Sequence, residues 1–151
     1  MTIEFEITTP ERTVYKETVD QITLPTTTGE ITILPNHMPL VSELTPGELR
    51  VVKGNDTTVM AVASGYVEVR TGNKVIILTD AAERAEEIDV ERAEVAKVKA
   101  EKAMAGIKEN DVKFADATTA LQRSLVRLNI AKRQRHRGHH NVGSEGVLKD
   151  T

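Results

Sequence analysis

The sequence predicts an antiparallel β-sandwich or barrel followed by a two-helix hairpin, a mainly β plus α chain. Short apolar runs separated by turn residues fill the first half. A proline-free stretch rich in Ala, Glu, Lys and Arg follows, with Gly106 the only glycine between Ala81 and Arg137. At that junction the hydrophobic period changes from two to three and four, the change from strand to helix. A parallel α/β sheet would need crossover helices, and the first half leaves no room for them.

The elements follow in order. Ile3, Phe5 and Ile7 alternate with Thr2, Glu4, Glu6 and Thr8, the pattern of a half-buried strand. Similar runs recur at Val19 to Leu24, Glu30 to Leu34, Glu48 to Val52, Thr57 to Ala63, Gly65 to Arg70 and Lys74 to Thr79. The breaks between them are turn sequences: Thr28-Gly29, Pro35-Asn36, Pro46-Gly47, Gly54-Asn55, Ser64-Gly65 and Thr71-Gly72-Asn73. Residues 1–82 are therefore read as the sandwich. In 83–135, Ala93, Ala96, Ala100, Ala103 and Ile107 make one narrow helical stripe, and Phe114, Ala117, Leu121, Leu125 and Leu128 make a second. The break at Gly106 to Asp111 is short, so the two helices are expected to form an antiparallel hairpin. Alanines bury only about 0.8 kcal/mol per methylene-sized group, so the hairpin is expected to lean on the first domain or on a partner. Residues 136–151, which contain HRGHHNVGSEG, lack a periodic face and are read as a mobile tail.

Composition excludes several kinds of chemistry. The chain of 151 residues has no cysteine, which removes disulfides, thiol catalysis and thiolate zinc sites. No glycine-rich phosphate loop, HExxH, GxSxG or dinucleotide fingerprint occurs, so catalysis by this chain alone is not expected. His37, in ILPNHMP, reads as a loop or interface residue. His136, His139 and His140 lie in a glycine-containing segment without preorganised geometry, and no metal site is expected. The start MTIEFEITTP places Glu4 and Glu6 inside its first apolar run, unlike a secretory signal, and no apolar run approaches the roughly 20 residues of a membrane span. A soluble, cytoplasmic chain is expected, attached to a membrane assembly only through another protein.

The net charge of -3 is informative once divided. Residues 1–80 hold six basic and eleven acidic side chains, whereas 81–151 hold fourteen and twelve. Glu83, Glu86, Glu87, Asp89, Glu91 and Glu94 are expected at the start of the first helix, where carboxylates suit the dipole. Arg123, Arg127, Lys132, Arg133, Arg135 and Arg137 follow late in the second, with no acid among them. This basic run has three readings: a solvated helix end, a docking surface for an acidic protein, or a nucleic-acid patch. The last lacks the interleaved aromatics of single-strand binders. Asp89 and Arg92, in IDVERA, share a helix face. Asp89 either caps the helix, with Arg92 paired to it, or the pair belongs to an anion site. In the second case Arg92, Arg123 and Arg127 surround a polyphosphate while Glu83 and Asp89 accept from a base or sugar.

Two stretches then carry a specific resemblance. GEITILPNHMPLVSELTPGELRV (Gly29 to Val51) and SGYVEVRTGNKVIILTDAAERAEEID (Ser64 to Asp89) resemble the epsilon subunits of bacterial F-type ATP synthases, over roughly Met1 to Arg133. The resemblance implies a ten-stranded sandwich that joins the gamma subunit and meets the c-ring, with His37, Met38 and Leu40 on that side. It implies a non-catalytic rotor subunit on the cytoplasmic side of the bacterial cell membrane. Its helices would restrain ATP hydrolysis by reaching acidic segments of beta, within the alpha/beta head, through Arg123, Arg127, Lys132 and Arg133. It further implies a regulatory ATP held by Glu83, Ile88, Asp89, Arg92, Arg123 and Arg127, beside Ala93. Lys99 stands where nucleotide-binding members favour arginine, and lysine lacks the bidentate fork. The competing expectation is a free-standing module whose basic helix binds nucleic acid.

Overall fold

The computed structural model describes residues 1–108 and 111–140. Within them the first half forms strands β1 (Ile3–Thr8), β2 (Thr13–Val19), β3 (Gln21–Thr26), β4 (Gly29–Ile33), β5 (Leu40–Leu44), β6 (Gly47–Lys53), β7 (Asp56–Val62), β8 (Gly65–Arg70), β9 (Lys74–Thr79) and β10 (Ala82–Arg84). A 3-10 turn at Ala85–Glu87 leads to helices α1 (Val90–Ala105) and α2 (Val112–His140). The fold is the sandwich and hairpin that periodicity predicts.

The strands run in the order β10-β7-β6-β3-β5-β8-β9-β1-β2, with β4 on the other side of β3. All ladders but β1–β9 are antiparallel; that one is parallel, from Glu4 opposite Lys74 to Thr8 opposite Leu78. The expected antiparallel sandwich is thus present, with this one parallel ladder in it. Two strands nearly 70 positions apart need no crossover helix, because the intervening hairpins return the chain. The Asp20 corner closes the structure: its N–H donates to the Val52 carbonyl at 2.8 Å, and its carboxylate accepts from Gly54 N–H at 2.6 Å. Inward side chains of every layer meet in one core of Ile3, Phe5, Ile7, Ile22, Leu24 and their neighbours. Phe5 and Tyr15 pack with ring centroids 5.5 Å apart. Arg84 of β10 lies over the Tyr15 ring at 5.6 Å, tying the end of the sheet back to β2.

Three elements differ from their sequence-based bounds. The run Val19 to Leu24 is split at Asp20 between β2 and β3. β10 carries the sheet past position 82, pairing Ala82, Glu83 and Arg84 with Val62, Ala61 and Met60. Consequently Glu83, Glu86 and Glu87 precede α1 rather than opening it. The helix starts where Asp89 caps it, its side chain accepting from the Arg92 N–H at 3.1 Å. Gly106 ends α1, as the break predicts. At the other end, α2 continues through His136 to His140, beyond the expected limit at 135. The tail read for 141–151, and the side chains of His139 and His140, lie outside the described residues.

The helical stripes are also redrawn. Ala93 and Ala100 are buried in the seam, but Ala103 is exposed in the last turn of α1. On α2 the buried positions are Ala117, Ser124, Leu128, Ile130 and Ala131, while Leu125 is turned outward. Ser124 occupies a core position because its hydroxyl donates to the Ala120 carbonyl at 3.0 Å and leaves no polar group unpaired.

Candidate functional site

Three surfaces outside the core carry groups suited to recognition. The first is the loop after β4. Asn36, at φ 65°, turns the chain, and its N–H donates to Asn73 Oδ1 at 2.6 Å, fastening the loop to the β8–β9 turn. His37 Nδ1 is 2.7 Å from the Met38 carbonyl, which holds the ring against its own loop. Met38 is left 73% exposed and Leu34 projects beside it in sequence, also exposed, while Leu40 is half-buried at the start of β5. An exposed methionine on a fastened loop is an adaptable apolar contact.

The second surface is the outer face of β5, β8 and β9, which sequence reasoning missed. In β8, Val67 and Val69 point inward, so Tyr66, Glu68 and Arg70 point out. Tyr66 lies opposite Leu78 across the β8–β9 ladder, and both are more than half exposed, as is Val41 of β5. Acids rim this strip: Glu43 faces Tyr66 and Glu68 faces Val41. Arg70 binds Glu68 through Nε and Nη2, both at 2.9 Å, and that hydrogen bonding holds the Glu68 carboxyl below its ordinary range. The strands approach here because Gly65 has no side chain. A Cβ on it would fall on the Leu78 carbonyl oxygen and 2.7 Å from the Thr79 Cα. The available signal was parity: once Val67 is inward, Tyr66 must be outward.

The third surface joins α2 to the sandwich. Ile130 and Ala131 pack against Val59, Ala61, Ala85 and Ile88, with Val90 and Val126 at the margin. Around this small apolar contact stand three ion pairs. Arg127 donates to both oxygens of Glu83, at 2.8 and 3.0 Å, in a bidentate pair whose side chains are 28% and 27% exposed. Arg123 reaches Asp80 at 3.5 Å, and Arg133 reaches Glu48 at 2.8 Å. Glu48 also accepts from Arg50 at 3.1 Å, and Arg50 extends to Glu30 at 2.9 Å. That network, led by the Glu48 hydrogen bond, holds the Arg50 guanidinium above its ordinary range.

The residues expected around a nucleotide are thus brought together only in part. Glu83 and Arg127 meet, but as partners of each other. Ile88 is buried in the apolar contact, and the Asp89 carboxylate is engaged as the cap. Arg92 is exposed. Arg123 Nε is buried without a hydrogen-bond partner among the described residues, while Nη2 of the same guanidinium reaches Asp80. Anion binding fits the exposed Arg92 directly, and fits Arg123 and Arg127 only if Asp80 and Glu83 are displaced. Lys132 is exposed and Arg133 is engaged by Glu48. Among the described residues no helix is long and apolar enough to cross a membrane.

Both modules match known families. Residues 2–85 match the ATP synthase delta/epsilon chain beta-sandwich domain, and residues 86–132 match the long alpha-helix domain of the same chain. The ATP synthase epsilon chain of Herpetosiphon aurantiacus is 45% identical over 137 residues, covering 91% of this chain and 99% of that one. That of Halalkalibacterium halodurans is 42% identical over 132 residues, covering 87% and 98%. Among solved structures, a chain of the Euglena gracilis mitochondrial ATP synthase (OSCP/F1/c-ring) aligns with TM-score 0.63 at 25% identity, covering 91% of this chain and 82% of that one. With both modules matched in order and relatives covered almost end to end, the chain belongs to the ATP synthase delta/epsilon chain family.

Proposed function

We propose that this chain is the epsilon subunit of an F-type ATP synthase, a non-catalytic part of the rotor that couples c-ring rotation through gamma to ATP synthesis. Its helices restrain ATP hydrolysis. The family assignment supports the subunit identity, and one observation carries the regulatory part. The hairpin rests on the sandwich through a small apolar contact and three ion pairs, an attachment built to be released. The strip of Val41, Tyr66 and Leu78 and the loop of His37, Met38 and Leu40 suit the gamma and c-ring contacts. The basic run of α2 suits acidic segments of beta. The complex acts on the cytoplasmic side of the bacterial cell membrane, which this chain reaches through its partners.

Deleting the residues after Asp89 is expected to raise ATP hydrolysis by the assembled enzyme and leave rotor assembly intact. Unchanged hydrolysis would refute the inhibitory role. Co-purification separates this reading from a nucleic-acid module: gamma and the other subunits are expected, not salt-released nucleic acid. A regulatory ATP is a second reading, favoured by Arg123 and Arg127 standing one turn apart on α2. Titration of the chain with ATP tests it. Binding is expected to weaken in Arg92→Ala and Arg127→Ala, and a titration indifferent to both changes would remove the site.

A further inference from the structure

We propose that Asp80, Glu83 and Glu48 act as an internal stand-in for an acidic partner, masking the basic face of α2 while the hairpin is closed; this rests on the regulatory reading above. The three carboxylates come from separate places: Asp80 follows β9, Glu83 lies in β10 and Glu48 in β6. They meet Arg123, Arg127 and Arg133, which span about 15 Å of helix at 1.5 Å per residue. These are the guanidiniums that the chain would offer to an acidic surface elsewhere. Closed, they are occupied.

The rungs are unequal, and this sets an order of release. Lys132, Arg135 and Arg137 are exposed and make no ion pair among the described residues, so an incoming acidic surface meets them first. Arg133 is next. It is the most exposed of the three arginines, and when it leaves, Glu48 keeps Arg50. The last strong rung is the bidentate Glu83–Arg127 pair, in which Glu83 has no other ion pair among the described residues. Exchange of one carboxylate for another avoids stripping a guanidinium bare, which is the costly step for a half-buried pair. The device is therefore competitive: the partner opens the hairpin by replacing the sandwich acids in turn.

The absence of cysteine makes the test direct. Spin labels on Asn55→Cys, in the β6–β7 turn, and Asn129→Cys, on the exposed side of α2, report whether the full chain is closed. A ten-residue polyglutamate peptide serves as the acidic probe. In Glu83→Gln, which keeps shape and removes charge, the open fraction and the peptide affinity are each expected to rise about fivefold, the equivalent of one ion pair near 1 kcal/mol. The swap Glu83→Arg with Arg127→Glu should restore the closed distance and remove the gain in affinity. An unchanged open fraction, or equal peptide affinity in Glu83→Gln and the parent, overturns the proposal. Assembled with its complex, Glu83→Gln is expected to deepen inhibition of hydrolysis. An open hairpin with unchanged hydrolysis would uphold the masking and overturn the regulatory reading; altered hydrolysis with a closed hairpin would overturn the masking.

Discussion

The sandwich and the hairpin are held by different physics. The sandwich buries large branched and aromatic side chains, among them Ile3, Phe5, Ile7, Ile22, Leu24 and Leu49, in one continuous core. Each fully buried side chain of that size contributes about 1.5–3 kcal/mol. The hairpin seam is built mainly from Ala93, Ala100, Ala117, Ser124 and Leu128, and its seat on the sandwich from a few small groups and three ion pairs. The seat of α2 is much the smaller of the two, and none of its residues belongs to the large sandwich core. The charges meet across the seat: Arg123, Arg127 and Arg133 of α2 face Asp80, Glu83 and Glu48 of the sandwich.

The sharpest way to break the contrast is to injure the sandwich. Phe5→Ala removes a ring that is 1% exposed and packs on Tyr15. Its expected cost is about 3–5 kcal/mol, read as a lower denaturant midpoint by both sheet and helix probes. A hairpin that kept its own midpoint in this variant would show that it does not depend on the sandwich. Next in size is Ile130→Ala, which empties the seat of α2. About 2 kcal/mol is expected, at the low end of such truncations because the site is shallow. Here hydrogen exchange should accelerate in α2 while the β1, β8 and β9 amides keep their protection. Equal acceleration in both would mean that the modules unfold as one. Smaller still is Asp89→Ala, which removes the cap on Arg92 N–H and should cost about 1 kcal/mol, confined to the first turn of α1. Asp89→Asn should retain most of it. If both variants fray equally, the charge at Asp89 matters more than the cap.

The sequence made the repeating parts legible and left the long-range ones obscure. Most strands were visible because Ile3, Phe5 and Ile7, or Val67 and Val69, alternate cleanly with polar residues. β2 was hidden because Val14 and Tyr15 are adjacent, and β5 because Leu40 and Val41 are; a doubled apolar pair blurs period two. β10, three residues long, is too short to show a period at all. In α2, a stripe counted from apolar residues chose Leu125 over Ser124, since nothing local reveals that the Ser124 hydroxyl satisfies itself on the preceding turn. The site follows the same division. Charge and then the family resemblance group Glu83 and Arg127 around an anion, yet their pairing with each other spans 44 positions and has no periodic trace. Asp80 and Glu48 left only one signal, the acidic surplus of the first 80 residues.

The smallest expected effect is the pH response of the sandwich surface. Lys53 donates to Glu17 at 2.7 Å, and that hydrogen bond holds the Glu17 carboxyl below its ordinary 4.5. Arg70 does the same for Glu68. A carboxyl depressed in the folded state binds fewer protons there than in the unfolded chain. Its contribution is therefore complete above the ordinary value and is lost as pH falls through the depressed one. The Lys53 ammonium mirrors this. Glu17 raises it above 10.5, so its share is present at lower pH and is lost as pH rises through the raised value. Both pairs lie in open solvent, where screening keeps ion pairs weak. The thermal midpoint of the sandwich is thus expected to decline only gently between about pH 6 and about pH 3. Glu17→Gln combined with Glu68→Gln should flatten that decline at low salt, and added salt should flatten it in the parent. A decline equally steep in parent and double variant would locate the acid sensitivity elsewhere. The carboxylates beneath α2, Glu48, Asp80 and Glu83, would then be next to test.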